Sequence, residues 1–194
     1  MTARLTSSIA LACLLALGAC VPSVKFKPMP LAPSTASRGT LAVGSVVSTR
    51  AADRGGKTLD VLGRVRGGYG NPFTLKASRG QELDRVLGDA MSDALRHSGF
   101  DTAGKPARRL ELEVQDFWCD GYMGYQVTTT MVARLVDTRS GKAVAQKTID
   151  LKDGFAIVVG YGPMMSSFSR VVDKIKGDLV VFLEKDAAAA LASR

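Results

Sequence analysis

Residues 108–151 read RRLELEVQDFWCDGYMGYQVTTTMVARLVDTRSGKAVAQKTIDL, and this stretch decides the fold. Leu110, Leu112 and Val114 alternate with Glu111, Glu113 and Gln115; Val127, Thr129, Met131, Ala133 and Leu135 alternate with Gln126, Thr128, Thr130 and Arg134. A period of two puts each set on its own face of a strand. The connection Asp137-Thr138-Arg139-Ser140-Gly141-Lys142 carries the glycine of a hairpin with a left-handed position, and residues 143–151 return as a third strand. One apolar and one polar sheet face call for helices on a single side. The expected class is therefore α+β: one domain, a mostly antiparallel sheet with a β-meander, and two amphipathic helices on one face.

The first helix is expected over residues 79–98. Leu83, Val86, Leu87, Ala90, Met91, Ala94 and Leu95 form one continuous apolar stripe at helical spacing. Ser78 with Gln81 reads as a capping box, and Gly99 followed by Phe100 as a left-handed C-terminal cap. The last helix is expected from about Ser166, because Phe168, Val171, Val172, Ile175, Leu179, Phe182 and Leu183 keep the same spacing. Upstream, TLAVGSVVST (residues 40–49) reads as a buried strand and residues 58–66 as a shorter one. Six glycines, Gly55, Gly56, Gly63, Gly67, Gly68 and Gly70, fall within residues 55–70, in and around the latter, beside Arg50, Arg54 and Lys57. Neither a Walker spacing nor GxGxxG is present, so turns explain these glycines better than a phosphate loop.

The N-terminus sets the compartment. Arg4 precedes the apolar run Ile9-Ala10-Leu11-Ala12-Cys13-Leu14-Leu15-Ala16-Leu17, too short to span a bilayer but suited to an export signal. It ends in Leu17-Gly18-Ala19-Cys20, which resembles the lipobox of bacterial lipoproteins; an ordinary secretory signal with a chance cysteine is the alternative. The expected boundaries are a signal peptide at 1–19, a lipidated N-terminus and proline-rich linker at 20–39, and a periplasmic domain at 40–194. Acylation of Cys20 would hold the chain on a membrane, since several acyl chains are an essentially permanent anchor. Val21, in place of Asp, implies by the same resemblance transfer to the outer membrane. Pro22, Pro28, Pro30 and Pro33 suggest an extended tether that would stand the domain off the bilayer.

Composition excludes several activities. Of the three cysteines, Cys13 leaves with the signal and Cys20 is the anchor, so Cys119 is alone and is expected to be buried. One histidine, His97, and one free cysteine cannot build a Cys/His zinc site, and any histidine-dependent hydrolase would rest wholly on His97. Glu111 and Glu113 could pair as glycosidase carboxylates but sit as a solvated sheet face would. No catalytic, cofactor or metal residues are assigned. The formal net charge of +8 is dispersed along the chain; outside the cytoplasm it points to anionic lipid or an acidic surface, not to nucleic acid.

Two apolar stretches fall outside the periods that fill the core: the hairpin tip around residues 117–125 and the segment 154–165. Tyr122, Tyr125, Phe155, Val159 and Tyr161 are the candidate partner surface, with core packing and strand extension as the alternatives.

The lipobox, the proline-containing linker, the helix ending in Leu95-Arg96-His97-Ser98-Gly99-Phe100, the polar meander with Val136-Asp137-Thr138-Arg139-Ser140-Gly141-Lys142 and the final amphipathic helix together resemble the YajG-like family of bacterial lipoproteins. The resemblance covers most of the mature chain on loose motifs and implies an outer-membrane lipoprotein without catalytic residues. The functional expectation is a non-enzymatic lipoprotein that docks on another envelope component or on itself. A lipid- or glycan-binding accessory of an envelope transport system is the alternative.

Overall fold

The structure is a computed structural model that describes residues 23–66, 72–104, 106–121, 124–155 and 162–192. Its strands are β1 (Ser23–Val24), β2 (Ala42–Ser48), β3 (Val61–Arg66), β4 (Pro72–Ala77), β5 (Arg108–Gly121), β6 (Tyr125–Asp137) and β7 (Ala143–Phe155). The helices are α1 (Leu83–His97), α2 (Gly162–Val181) and α3 (Ala188–Ala192).

β5, β6 and β7 form the expected antiparallel meander, with Glu111 opposite Arg134 and Thr130 opposite Asp150. The sheet order is β1-β4-β3-β5-β6-β7, and β2 also pairs with β5. β2 runs parallel to the first half of β5 and β3 parallel to its end. Leu110, Leu112 and Val114 are buried, as alternation requires, and a register shift follows between Val114 and Asp116. The extra residue resets the pleat. Phe117 and Cys119 thereby join the core, while Trp118 pairs with Thr128 on the other face. Where β3 meets β5, a Cβ on Gly63 would lie 2.2 Å from the Cys119 carbonyl oxygen, so only glycine fits.

The buried faces of α1 and α2 cover one side of the sheet, so the α+β single-domain architecture is as expected. The end of α1 matches its sequence signal: Gly99 has φ 82°, its N–H donates to Arg96 and that of Phe100 to Leu95. That pair of bonds is a Schellman motif. Its start does not match. Gly80, at φ 77°, turns the chain, the helix begins at Leu83, and Gln81 is diverted from capping to another partner described below. α2 begins earlier than expected, at Gly162, and buries Met164 in its first turn. At its far end a π-helical turn, Phe182–Asp186, lets Phe182, Leu183 and Ala187 all reach the core. β2 also departs from the buried strand expected: Val43 and Val47 are exposed.

The largest correction concerns the linker. From Ser23 onward the proline-rich chain is extended, as proline favours, but it is packed on the domain along its length. Ser23 and Val24 pair with Lys76 and Ala77, extending the sheet. Gln81 grips the backbone of Phe26 from both sides, its Oε1 accepting from the N–H and its Nε2 donating to the carbonyl. The Lys27 and Met29 N–H groups donate to Ser169 and Asp173 of α2. Further along, Ser34 and Arg38 donate to carbonyls of Arg96 and Gly99, and His97 Nδ1 donates to Ala32. Phe26, only 2% exposed, lies 6.4 Å from Phe117 and 6.0 Å from Phe168, ring centre to ring centre. Burying one such ring contributes about 1.5–3 kcal/mol. Residues 23–38 are therefore a strap across the helical layer, and the folded domain starts at Ser23 instead of Thr40.

Candidate functional site

The strap creates a groove of about 480 Å³ against α2, lined by Lys25, Lys27, Met29, Met165, Ser169 and Arg170. Alternation governs it. Val24 and Phe26 point into the core, so Ser23, Lys25, Lys27 and Met29 all point outward. Met29 is 72% exposed, the most exposed of the large apolar residues described. Arg170 donates to Asp153 at 2.8 Å and to Ser167 at 2.6 Å. The hydrogen bond that Arg170 donates to Asp153, supported by Tyr125, raises the guanidinium above its ordinary value, so the groove wall carries an Arg170–Asp153 ion pair.

A second concavity, of about 520 Å³, opens on the polar face of the sheet among Arg54, Arg64, Arg66, Pro72, Trp118 and Asp120. Arg54 is tied to Asp116 at 2.8 Å, and the Asp116 carboxylate also accepts from Thr128. Trp118, 7% exposed, lines the concavity among these charged side chains. Such a mixture suits a polar ligand with one flat apolar face.

Arg50, in the loop considered for phosphate, is 4% exposed and spends its guanidinium on the carbonyls of Thr58, Val61 and Phe117. Desolvation lowers its pKa, and its donors serve to brace the 51–60 turn. Glu113 accepts from Thr49 and pairs with Arg134 at 2.6 Å, which holds its carboxyl below the usual range; Glu111 accepts from Arg109. These carboxylates are held by partners on the sheet face. His97 is engaged with the strap. Cys119 is fully buried, and burial, reinforced by Asp120, pushes its thiol up to about 12, so it is protonated and shielded. Among the described residues no group of three metal-ligating side chains converges.

Cys20, Tyr122, Val159 and Tyr161 lie outside the described residues, and of Phe155 only its backbone, closing β7 opposite Tyr125, is described. Tyr125 is corrected: at 7% exposure it belongs to the core, because β6 opens with its ring on the same inward face as Val127. Phe117 at 0% likewise belongs to the core, so for Phe117 and Tyr125 the core-packing alternative holds, while Trp118, at 7%, lies on the opposite face of the sheet. From sequence, Lys25 and Lys27 stand out only as basic residues near the anchor, read as solvated linker charges in preference to headgroup contacts; that they share one outward face with Met29 was missed. The alternation SVKFKPM was visible, but four prolines directed attention to a free linker.

No family model matches the chain. No curated protein matches it either. Among solved structures, a Xanthomonas campestris protein assigned to the family DUF330 shares the fold, with a TM-score of 0.58 over 83% of this chain and 92% of that one at 14% identity. PelC from Paraburkholderia phytofirmans, a dodecamer in its crystal, aligns over 75% of this chain and 95% of its own with a TM-score of 0.38 at 11% identity. A minor lipoprotein from Acinetobacter baumannii aligns over 50% of this chain and 82% of its own, with a TM-score of 0.39 at 13% identity. The likeness to the Xanthomonas protein establishes a shared α+β fold. No helix of the described residues is long and apolar enough to cross a membrane.

Proposed function

We propose that this chain is a non-enzymatic lipoprotein of the bacterial envelope, YajG-like in character, anchored through acylated Cys20 in the outer membrane with its domain in the periplasm. Its task is to dock on another envelope component or on a second copy of itself. The observation that carries the reading is the strap: the chain is built into the sheet at Ser23, three residues after the lipobox cysteine. An anchor at Cys20 would then hold a folded domain at the bilayer. The reading is supported by the engagement of His97, Glu111, Glu113 and Cys119 in structural contacts. β2 offers a docking edge, since among the described residues it pairs only with β5 and exposes Val43 and Val47.

The Trp118 concavity favours a second reading, a lipid- or glycan-binding accessory of an envelope transport system. Cell fractionation tests the anchor. The native protein should sediment with outer membrane after a salt wash, and Cys20→Ser should release it; a variant that stays in the membrane would refute the anchor. Crosslinking in intact cells then separates the readings, with a captured protein supporting docking and a captured lipid or glycan supporting the accessory role.

A further inference from the structure

We infer that the outward face of the strap, Lys25, Lys27 and Met29 with Met165 and Arg170 beside it, is a membrane-contacting surface that lies on anionic lipid headgroups. The inference rests on the anchor reading of Cys20.

Three steps separate Cys20 from Ser23, and an extended residue advances at most about 3.6 Å, so Ser23 can stand no more than about 11 Å from the anchor. Had residues 20–39 been a free tether, the domain could have turned any side to the bilayer. The strand pairing at Ser23 and the bonds of Phe26, Lys27 and Met29 to Gln81, Ser169 and Asp173 remove that freedom. The first surface that an anchored domain brings to the headgroups is the strap itself.

Its chemistry fits the interface. Lys25 and Lys27 project on the same side as Met29 and supply the charge of this face, since Arg170 at the groove wall is paired with Asp153 and Asp173 beside it is engaged by the Met29 N–H and Lys176. Basic side chains next to a membrane anchor are drawn to the negative surface potential, within a Debye length of it. Their aliphatic stems, together with exposed Met29, can enter the boundary while the charges stay among phosphates. The Met29 side chain makes no demand on the fold, since only its backbone is held by Asp173 and Lys176.

The test uses the full-length acylated protein, purified from membranes and reconstituted in vesicles of phosphatidylethanolamine and phosphatidylglycerol. An environment-sensitive fluorophore is placed on Met29→Cys, or on Val47→Cys, whose strand position pairs with Glu113 on the polar sheet face. Vesicles carry a quencher at headgroup level. Quenching should be severalfold stronger at position 29 than at 47, and Lys25→Glu with Lys27→Glu should abolish most of the difference. Equal quenching at both positions on protein whose mass shows acylated Cys20 would overturn this inference and leave the anchor standing. A mass without acyl chains would overturn both.

Discussion

Lys176 of α2, 1% exposed, donates its ammonium to the carbonyl oxygen of Met29 and lies 3.5 Å from Asp93 of α1 and 3.3 Å from Asp173. One buried cation thus ties both helices to the strap. Its spacing, four residues after Val172 and three before Leu179, places it at the border of the apolar stripe, where a long lysine stem ordinarily carries its charge out to solvent.

Lys176→Ala should cost about 2–4 kcal/mol, since it leaves Asp93, Asp173 and a backbone carbonyl without their shared donor. Chemical denaturation gives the number. Limited proteolysis should at the same time open the strap near residues 25–35, and an unchanged cleavage pattern would show that Lys176 does not hold it.

Phe26→Ala removes a ring wedged between Phe117 and Phe168. A loss of about 3–5 kcal/mol is expected. If residues 23–38 hung free, the substitution would leave the melting temperature unchanged.

Gly99→Ala should destabilise on two counts. The residue has φ 82°, and a Cβ there would meet the Ala36 carbonyl oxygen at 2.5 Å. The left-handed conformation alone costs a non-glycine residue about 1–2 kcal/mol, and the strap must also shift. Gly104→Ala, with φ 98° and open space around it, separates the two effects: it carries the conformational cost without the clash.

Cys119 should make the protein sensitive to alkali. Its thiol is raised by burial from 9.0 to about 12, so above pH 9 the unfolded chain loses a proton that the folded chain keeps. Stability is unaffected by this group below that pH and falls between pH 9 and about 12, by up to about 1.4 kcal/mol per pH unit. Cys119→Ala, though less stable overall, should lack that slope. Thiol reagents should label the folded native protein slowly at neutral pH.

The meander, both helical stripes and the Gly99 cap were legible because each buries a face at a fixed period. The bulge after Val114 was not, although it places Phe117 and Cys119 inside and leaves Trp118 on the opposite face; a single inserted residue has no compositional mark. The parallel pairings of β2 and β3 with β5 are equally silent, being long-range choices among strands of similar pattern. Ser78 and Gln81 had the spacing of a cap, but Gln81 binds the backbone of Phe26, fifty-five residues away in sequence, and no local rule anticipates that bond. The same contact undid the tether. Val24 and Phe26 flanking Lys25 are a strand signal that the surrounding prolines obscured. At the candidate surface, a tip spanning 117–125 reads Tyr125 as a turn aromatic, whereas β5 and β6 stay paired as far as Gly121 and Tyr125 and carry its ring onto the inward face.

The decisive measurement is the mass of the N-terminal peptide of the mature protein isolated from bacterial membranes. A peptide that begins at Cys20 and carries a diacylglyceryl group on sulfur, with a further acyl chain on the new amino group, is the predicted result. A mature chain that begins at another residue, or at an unmodified Cys20, would contradict the account.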